Sequence, residues 1–445
     1  MKPFRANWLR LCFFLLSCLP TSSPAQFQHL WSAGLTNYQM GSLAVPPYCS
    51  YRGTAVDVDR DGNTIIGGAA NVVDTNLLAQ LSVFVAKFGP DGNLLWRTFI
   101  GTNATAVESL CVDQGGDIYF TLPLLAQTPS PVALVMMSSG GREIWRVVKS
   151  SAIGCYQASG STSDIRIDSA ENPVLYCLVF EEQNHPLSAE VSKYSPAGNE
   201  IWRTTLPGEG LIISGPFGIG GCLTALRDGS VAVTGTFPGS GFSAKLDSKG
   251  NLLWWTQNSG YYSSIAANHR GAICVGFADG ATVLNPKGIP FSSGSNEAVG
   301  DVIGTTLRGG FLLQSSILVS ELSATGQLRW QTHTSIHVNA GLVSDGMSGW
   351  VGAGDNASAL NALRFVQLDR NGQLICETNM PGHCFPLGMR NGAALHLVSD
   401  GTFRLVRENR TDSFHQSLGI LVDAYALDTD SRSRGGLKQG SARSF

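Results

Sequence analysis

Three aspartates near the start of the chain have the spacing of a calcium-binding loop. Asp57, Asp59 and Asp61 precede Gly62 in the order D-x-D-x-D-G, and alternate carboxylates in a turn can converge on one hard cation. The pattern then departs from an EF-hand, because Gly68 stands where that loop needs a glutamate. The alternative is a turn in which Asp59 accepts hydrogen bonds from backbone amides. We therefore expect no cofactor, with calcium at this turn as the alternative.

Cysteine is the other residue type that could do chemistry here. The chain has ten cysteines, and eight of them follow the N-terminal apolar run. In an exported protein an even number permits disulfides. Cys376 and Cys384 flank a predicted turn between two repeats, so we take them as the first candidate pair. The sequence shows no Ser–His–Asp arrangement, nucleophile elbow or phosphate-binding loop.

The first residues have the composition of an export signal. Three cations precede a short apolar run at residues 11–19, and small residues follow at 23–25. This order predicts a signal peptide over residues 1–25, and the run is too short for a membrane span. We predict no transmembrane span and a secreted, periplasmic or cell-envelope location. A lipid anchor at Cys18, within a lipobox-like sequence, is the alternative mode of export.

Composition limits the fold and the function class. Of 445 residues, 52 are glycine and only 14% are charged, whereas globular chains average about 25% charged residues. A glycine-rich, charge-poor mixture with many β-formers favours short strands joined by tight turns over long helices or coiled coils. The formal net charge is −3, so the basic footprint of a nucleic-acid-binding protein is absent.

Internal repetition is the strongest pattern in the chain. One cassette has an apolar strand, a turn containing glycine, and a second strand with tryptophan four residues after the glycine. Five copies end at Trp96, Trp145, Trp202, Trp254 and Trp330. A second hairpin with an Asp/Asn/Gly turn lies between the cassettes. Two hairpins per repeat make a four-stranded antiparallel unit, which is a propeller blade.

The repeats predict an all-β chain with a single β-propeller. Counting the predicted third strands, from 84–88 to 403–407, gives eight blades, and seven is the alternative. We place the propeller at residues 26–430, with strand 27–35 as the outer strand that closes the last blade. Residues 431–445 are predicted to be a disordered tail.

The repeated tryptophans admit two interpretations. A tryptophan at a fixed place in each outer strand is expected to pack between blades, with its indole N–H bound to the backbone. The alternative is a platform for stacking sugars or bases. Trp255 and Trp350 lie outside the repeat position, and we expect them to be exposed contact residues.

The run 84–101, followed by 112–119, resembles the β-propeller repeat (SBBP type) of exported bacterial proteins. The similarity covers nearly the whole mature chain and is clearest in the first four copies. It implies a secreted or cell-envelope propeller and carries over no catalytic residues. The Gly-Asn-x-x-Trp element is also similar to the tryptophan-docking motif of quinoprotein dehydrogenases. Those enzymes have an adjacent cysteine pair that this sequence lacks, so a quinone cofactor is not expected.

These patterns favour a non-catalytic binding or scaffold module at the cell envelope or outside the cell. The alternative is a propeller enzyme, such as a polysaccharide lyase, a glycosidase or a quinoprotein-like oxidoreductase, with its active site in the central funnel. In a four-stranded meander the long connections gather on one face, where a protein or polysaccharide would bind. We expect a monomer. The candidate contact residues are Tyr38, Tyr48, Tyr51, Tyr156, Tyr261 and Tyr262.

Overall fold

The fold is seen in a computed structural model of the chain. It describes residues 27–427 apart from residues 37, 41–44, 74–78, 102–103, 125–129, 155–162, 181–186, 208–220, 238–239, 259–261, 278–279, 292–300, 316, 345–348, 357–362, 380–394, 399–401 and 411–416. The described residues form thirty-two β-strands and no helix. It follows that none of them belongs to a helix long and apolar enough to cross a membrane.

Blades 1–4 take up the first half of the ring. The first strand of the chain, β1 (Phe27–Thr36), belongs to blade 8. Blade 1 contains β2 (Tyr38–Met40), β3 (Val45–Val58), β4 (Thr64–Val73), β5 (Ala79–Phe88) and β6 (Leu94–Phe99). Blade 2 contains β7 (Leu110–Val112), β8 (Ile118–Pro123), β9 (Ser130–Met137) and β10 (Glu143–Gly154). Blade 3 contains β11 (Ser163–Ile167), β12 (Pro173–Phe180), β13 (Leu187–Tyr194) and β14 (Glu200–Leu206). Blade 4 contains β15 (Gly221–Ala225), β16 (Val231–Phe237), β17 (Ser240–Leu246) and β18 (Leu252–Asn258).

Blades 5–8 complete the ring. Blade 5 contains β19 (Tyr262–Ala267), β20 (Ile273–Phe277) and β21 (Gly280–Leu284), with a single bridge from Leu284 to Pro290 in place of a fourth strand. Blade 6 contains β22 (Asp301–Thr305), β23 (Phe311–Ser315), β24 (Leu318–Leu322) and β25 (Leu328–His333). Blade 7 contains β26 (Ile336–Ser344), β27 (Trp350–Asn356), β28 (Leu363–Leu368) and β29 (Leu374–Asn379). Blade 8 contains β30 (Leu395–Leu397), β31 (Phe403–Arg410) and β32 (Ser417–Leu427), together with β1.

The predicted all-β propeller with eight blades is confirmed. Every described pairing between neighbouring strands is antiparallel, and β1 pairs with β32 as the outer strand of blade 8. One detail of the strand count was wrong, because residues 403–407 lie in the second strand of blade 8 and not in the third. The third strand is β32, whose Ala424 faces Trp31 across the pair. Blade 8 takes its fourth, outer strand from the N-terminal part of the chain. Its strands β30, β31 and β32 are therefore the first, second and third strands of the blade.

The connections of the meander divide between two faces of the ring. The first-to-second and third-to-fourth connections that the structure describes are five-residue turns, such as 59–63, in which the Gly62 N–H donates to the Asp59 carbonyl over 3.0 Å. Gly62 has a φ of +80°, which glycine adopts without a Cβ penalty. We call the side with these turns the tight-turn face. Because alternate connections of a meander emerge on opposite sides, the longer connections lie on the other side, the long-loop face.

The hydrophobic core lies between adjacent blades. Tyr176 of blade 3 packs with Val233 and Phe242 of blade 4 in one such layer. Trp255 stacks on Phe242, with ring centroids 4.6 Å apart. Trp350, which we expected to be exposed, is buried among aliphatic residues of blades 6 and 7. That prediction was wrong because Trp350 begins a second strand whose side chains pack between blades.

Candidate functional site

The repeated tryptophans connect each blade to the next. The indole N–H of Trp96 donates to the carbonyl of Ser139, which lies in the third-to-fourth turn of blade 2, over 3.0 Å. The same contact recurs from Trp145 to Pro196 at 2.8 Å, from Trp202 to Ser248 at 3.0 Å, and from Trp254 to Pro286 at 3.1 Å. The predicted backbone partner of the indole is therefore confirmed in blades 1–4, where the rings serve the fold.

A glycine in each of these turns makes room for the indole ring. A Cβ added to Gly250 would lie 2.6 Å from Cδ2 of Trp202, and one added to Gly141 would lie 2.7 Å from Trp96. Both glycines also have positive φ, so the position excludes other residues by conformation and by space. Each of the two glycines therefore contacts the tryptophan of the preceding cassette, and not the tryptophan four residues after it.

Two junctions depart from this pattern. In blade 6 the indole of Trp330 donates to Oε2 of Glu321 in its own blade, over 2.7 Å. At the closure of the ring, Arg404 of β31 donates from Nη2 to the carbonyl of Pro90 over 3.2 Å. Pro90 has the same place in its turn as Ser139, so an arginine reaches the carbonyl that an indole reaches elsewhere.

The aspartate triplet lies in a turn where one buried carboxylate forms an ion pair with a lysine. Oδ1 of Asp59 accepts hydrogen bonds from the backbone N–H groups of Asp61 and Asn63, over 3.0 and 2.9 Å. Its Oδ2 lies 2.8 Å from Nζ of Lys87, which is buried with it. Burial opposes ionisation of Asp59, but the bonds from Lys87 and Asn63 outweigh burial and lower its pKa. The ammonium of Lys87 supplies the positive charge that this carboxylate requires.

The three carboxylates of the triplet do not share one partner. Asp57 accepts the backbone N–H of Val112, in the inner strand of blade 2, over 3.0 Å, and Asp61 is exposed. Among the described residues, no group of three or more His, Cys, Asp or Glu side chains could hold a metal ion. Calcium at Asp57, Asp59 and Asp61 stays a prediction.

The turn of blade 3 repeats this arrangement. Oδ1 of Asp168 accepts the N–H groups of Ala170 and Asn172, each over 2.9 Å, and Oδ2 forms an ion pair with Lys193. Burial opposes ionisation of Asp168, but the bonds from Lys193 and the two amides lower its pKa. The aspartate in this turn therefore stabilises the repeat. Its recurrence explains why the sequence resembles the start of a calcium loop.

A buried polar cluster joins the inner strands of blades 2, 3 and 4, which border the central channel. Asp164 is fully buried and accepts the hydroxyl of Ser109 over 2.7 Å and the N–H of Leu223 over 2.9 Å. Nη1 of Arg166 lies 3.2 Å from its Oδ1. Burial raises the pKa of Asp164, although Arg166 and the hydrogen-bond donors counteract it. Each carboxylate oxygen thus bonds to a neighbouring blade.

The rest of this cluster offers no free nucleophile among the described residues. The hydroxyl of Ser163 donates to Glu108, and it lies 3.0 Å from the hydroxyl of Thr121. Burial, and next the Asp57 carboxylate, raises the pKa of the Cys111 thiol well above its usual range. A thiol is reactive as its thiolate, so Cys111 behaves as a buried packing residue.

Sequence reasoning missed this cluster. Asp164 lies two residues upstream of Arg166 in a strand where blade 1 has Ala55, and a carboxylate at that apolar position was the available signal. Its partners come from blades 2 and 4, so no local spacing could have named them.

The predicted contact tyrosines fall into two groups. Tyr38, Tyr48 and Tyr51 lie on strands of blade 1 that extend past its regular hairpins. Tyr38 pairs with Cys49, Tyr48 pairs with both Gln39 and Val73, and Tyr51 pairs with Ala70. We call residues 38–40, 45–52, 69–73 and 79–82 the blade-1 extension; it lies on the long-loop face. Tyr262 begins β19 and pairs with Phe277, whereas Tyr156 and Tyr261 are outside the described residues.

The candidate disulfide has one described half. Cys376 is half-buried in β29, with Sγ 3.8 Å from Oε1 of Gln367. It stands at the repeat position of the tryptophans. Cys384 lies outside the described residues, so the pairing stays a prediction.

Comparison with known proteins gives distant structural likenesses only. No family model matches the chain, and no curated protein matches it. It is similar to a protein of unknown function from Bacteroides caccae, with 11% identity, a TM-score of 0.35, and coverage of 70% of this chain and 95% of that one.

Two further solved structures are similar to the same degree. A catalytically inactive virginiamycin B lyase from Staphylococcus aureus with quinupristin has 9% identity and a TM-score of 0.40, covering 78% of this chain and 98% of that one. BBS1N in complex with ARL6DN has 11% identity and a TM-score of 0.42, covering 92% and 99%. Scores this low carry no argument about function, and the propeller assignment rests on the strand pairing.

Proposed function

We propose that this protein is an exported β-propeller that binds a protein or a polysaccharide through its long-loop face and performs no catalysis. It acts in the periplasm, at the cell envelope or outside the cell. The N-terminal cations, apolar run and small residues support export. The propeller enzyme with a funnel active site is the alternative.

The blade-1 extension is the observation that carries this proposal. Its tyrosines stand on paired strands, since Tyr48 has a partner on each side. Tyrosine supplies a large contact area with few rotatable bonds, and a scaffold that is already ordered lowers the entropy lost on binding. A paired sheet that carries three tyrosines on the long-loop face therefore suits recognition.

The inner strands support a role without catalysis. A general base needs a free oxygen or nitrogen within reach of the substrate and a pKa near the working pH. Asp57 and Asp164 each accept a backbone N–H from a neighbouring blade, and the Cys111 thiol stays protonated. These groups hold blades together.

Retention on envelope material tests the binding role. Envelope fractions from the producing cells are incubated with the purified mature chain, and the bound fraction is measured. Replacing Tyr48 and Tyr51 by alanine is expected to lower retention by about tenfold, because losing two aromatic contacts costs at least about 1.4 kcal/mol. Leu95→Ala with Leu253→Ala, at two exposed positions on outer strands, is the matched control and should retain fully. Equal retention by all three proteins would overturn the assignment of this face.

Two further measurements address export and catalysis. The N-terminal mass of the protein from culture fractions should begin near residue 26, and a lipid on Cys18 would indicate the anchored form instead. Incubation of the chain with envelope polysaccharides should release no new reducing ends or unsaturated sugars. Release that requires the folded chain would establish the enzyme alternative. We propose that calcium is not needed, and titration calorimetry with calcium chloride on wild type and Asp61→Asn checks this.

A further inference from the structure

Charge on the tight-turn face is divided into two regions. The turns of blades 4–6, at 226–230, 247–251, 268–272, 285–289 and 306–310, form what we call the basic arc. Its five exposed cations are Arg227, Lys249, Arg270, Lys287 and Arg308. Its acidic residues are Asp228 and Asp247. The arc is therefore cationic on a chain whose net charge is −3.

The turns of blades 1–3 carry the opposite charge. Asp59 and Asp168 are buried there in ion pairs with lysines, so they add no net charge to the surface. The remaining acidic residues of these turns are Asp61, Asp91, Asp113, Asp117 and Glu171, and the cations are Arg60 and Arg142. We call this region the acidic arc. Its balance of five to two mirrors that of the basic arc.

No ion pair joins a cation of the basic arc to a carboxylate among the described residues, although Lys249 interacts electrostatically with Asp247. Arginines on the outer strands are different, because Arg146 pairs with Glu143, Arg203 with Glu200 and Arg329 with Glu321. The turns of the arc are also held in place, since Nδ2 of Asn268 donates to the carbonyl of Gly309 over 2.7 Å. The arc thus presents positive charge on a rigid surface.

An apolar side chain stands within this arc. Leu307 is 83% exposed, in the turn beside Arg308. An exposed aliphatic residue with charged neighbours has the arrangement of an interface anchor and its polar rim. The basic arc therefore fits a partner surface that offers carboxylates around an apolar contact.

We infer that the partner is a second copy of this chain, bound face to face through the tight-turn faces. A two-fold axis in the plane of an eight-blade ring, passing through the junction of blades 3 and 4, places blade 4 over blade 3, blade 5 over blade 2 and blade 6 over blade 1. Each basic arc then covers an acidic arc of the other copy. Such an interface is isologous and closes at a dimer.

The pairing of blades places the first-to-second turns of blades 5 and 6 over acidic turns of blades 2 and 1, whereas Lys287 lies over the turn that contains Arg142. Arg270 of blade 5 faces Asp117 of blade 2, and Arg308 of blade 6 faces Asp61 of blade 1 in the second copy. Leu307 faces the turn surface of blade 1 around Pro90. Moving the axis by half a blade stacks blade 3 on blade 3 or blade 4 on blade 4, which reduces the overlap of basic with acidic turns and therefore costs free energy. The proposed dimer differs from the monomer expected from the sequence, and it leaves both long-loop faces exposed.

Charge reversal with cross-complementation tests the dimer. Sedimentation velocity of the mature chain at about 20 mM salt should show a dimer that dissociates at about 300 mM, because salt screens exposed pairs. Arg270→Glu with Arg308→Glu should be monomeric, and so should Asp61→Lys with Asp117→Lys. A one-to-one mixture of the two variants should restore the dimer, because reversed charges then face each other. A misfolded variant could not be rescued in this way.

Three outcomes would overturn the inference. They are a wild-type chain that is monomeric at low salt, a dimer that is insensitive to salt and to Leu307→Asp, and a variant mixture that stays monomeric. If a monomeric wild type binds poly-L-glutamate and the Arg270→Glu, Arg308→Glu variant does not, the arc serves a different acidic partner and the dimer is excluded. None of these outcomes depends on retention through the long-loop face.

Discussion

The junctions of blades 1–4 with their following blades differ from the junction that closes the ring. In the former, an outer-strand tryptophan such as Trp202 donates to a turn carbonyl of the next blade. At closure, the buried guanidinium of Arg404 comes from the second strand of blade 8 and donates to the Pro90 carbonyl. Both donors bind the carbonyl of the second residue of a third-to-fourth turn. At these five junctions the carbonyl thus accepts from an indole in four cases and from a guanidinium in the fifth.

A second contrast separates the repeated contacts from the blade-1 extension. The repeated tryptophans, glycines and turn aspartates make their contacts within the propeller. The extension is an addition to the repeat, because blade 1 alone has a fifth strand among the described sheets. This difference indicates that residues repeated with the fold stabilise it, whereas departures from the repeat are where binding is to be sought.

The largest expected effect concerns the glycine under an indole. Gly250→Ala adds a Cβ 2.6 Å from the Trp202 ring at a φ of +85°, so both strain and displacement of the ring are expected. We predict a loss of about 3 kcal/mol in the free energy of unfolding, measured by urea denaturation. Gly229→Ala is the control, because its φ is +76° and its nearest contact is 3.3 Å. It should lose only about 1 kcal/mol; equal losses would show that the indole contact is unimportant.

The closure is tested next by Arg404→Met. This change keeps much of the buried volume but removes the donors to Pro90 and Thr402. Losing the hydrogen bonds of this buried guanidinium to partly exposed acceptors is expected to lower the free energy of unfolding by about 2 kcal/mol. Arg370→Met, at an exposed turn position of blade 7, should change it by less than about 0.5 kcal/mol. A stable Arg404→Met variant would mean that β1 pairing alone closes the ring.

The smallest expected effect is a pH dependence of the buried Asp168–Lys193 pair. The pKa of Asp168 is lowered in the folded state, so its stabilisation is present above the unfolded value and is lost as pH falls through the lower, folded value. Between about pH 5 and pH 3, Asp168→Asn should therefore lose about 1 kcal/mol less stability than wild type. Lys193→Met removes the other half of the ion pair and should reduce the acid dependence in the same way. An identical acid dependence for Asp168→Asn would contradict the assignment.

Much of the fold could be predicted because the same sequence pattern recurs from blade to blade. The interval from Gly92 to Trp96, found again in four other cassettes, predicted the interblade role of the indole, while the second hairpin predicted the four-stranded blade and the count of third strands predicted eight. The order of strands in blade 8 could not be obtained this way, because its tryptophan lies at the opposite end of the chain. The repeat pattern also led to a wrong prediction of exposure for Trp350, because its burial depends on residues of the neighbouring blade.

The polar contacts were harder to predict than the strands. The spacing marks Asp57 and Asp59 as candidate calcium ligands, yet their partners in the structure are Val112, Asn63 and Lys87, which the spacing does not specify. Asp164 was not identified, since its donors are contributed by blades 2 and 4. Hydrogen-bond partners across blades depend on which strand edges meet, and a single sequence does not encode that locally.

The most direct test of the account measures stability and retention on the same two variants. Trp202→Phe removes the indole donor to Ser248 and should lower the free energy of unfolding by about 1–2 kcal/mol, with retention on envelope material unchanged. The double variant Tyr48→Ala, Tyr51→Ala should show the reverse: retention reduced by about tenfold, with stability of the remaining blades unchanged. If Trp202→Phe abolishes retention while the folded chain persists, the repeated tryptophans are the binding surface and the account is contradicted.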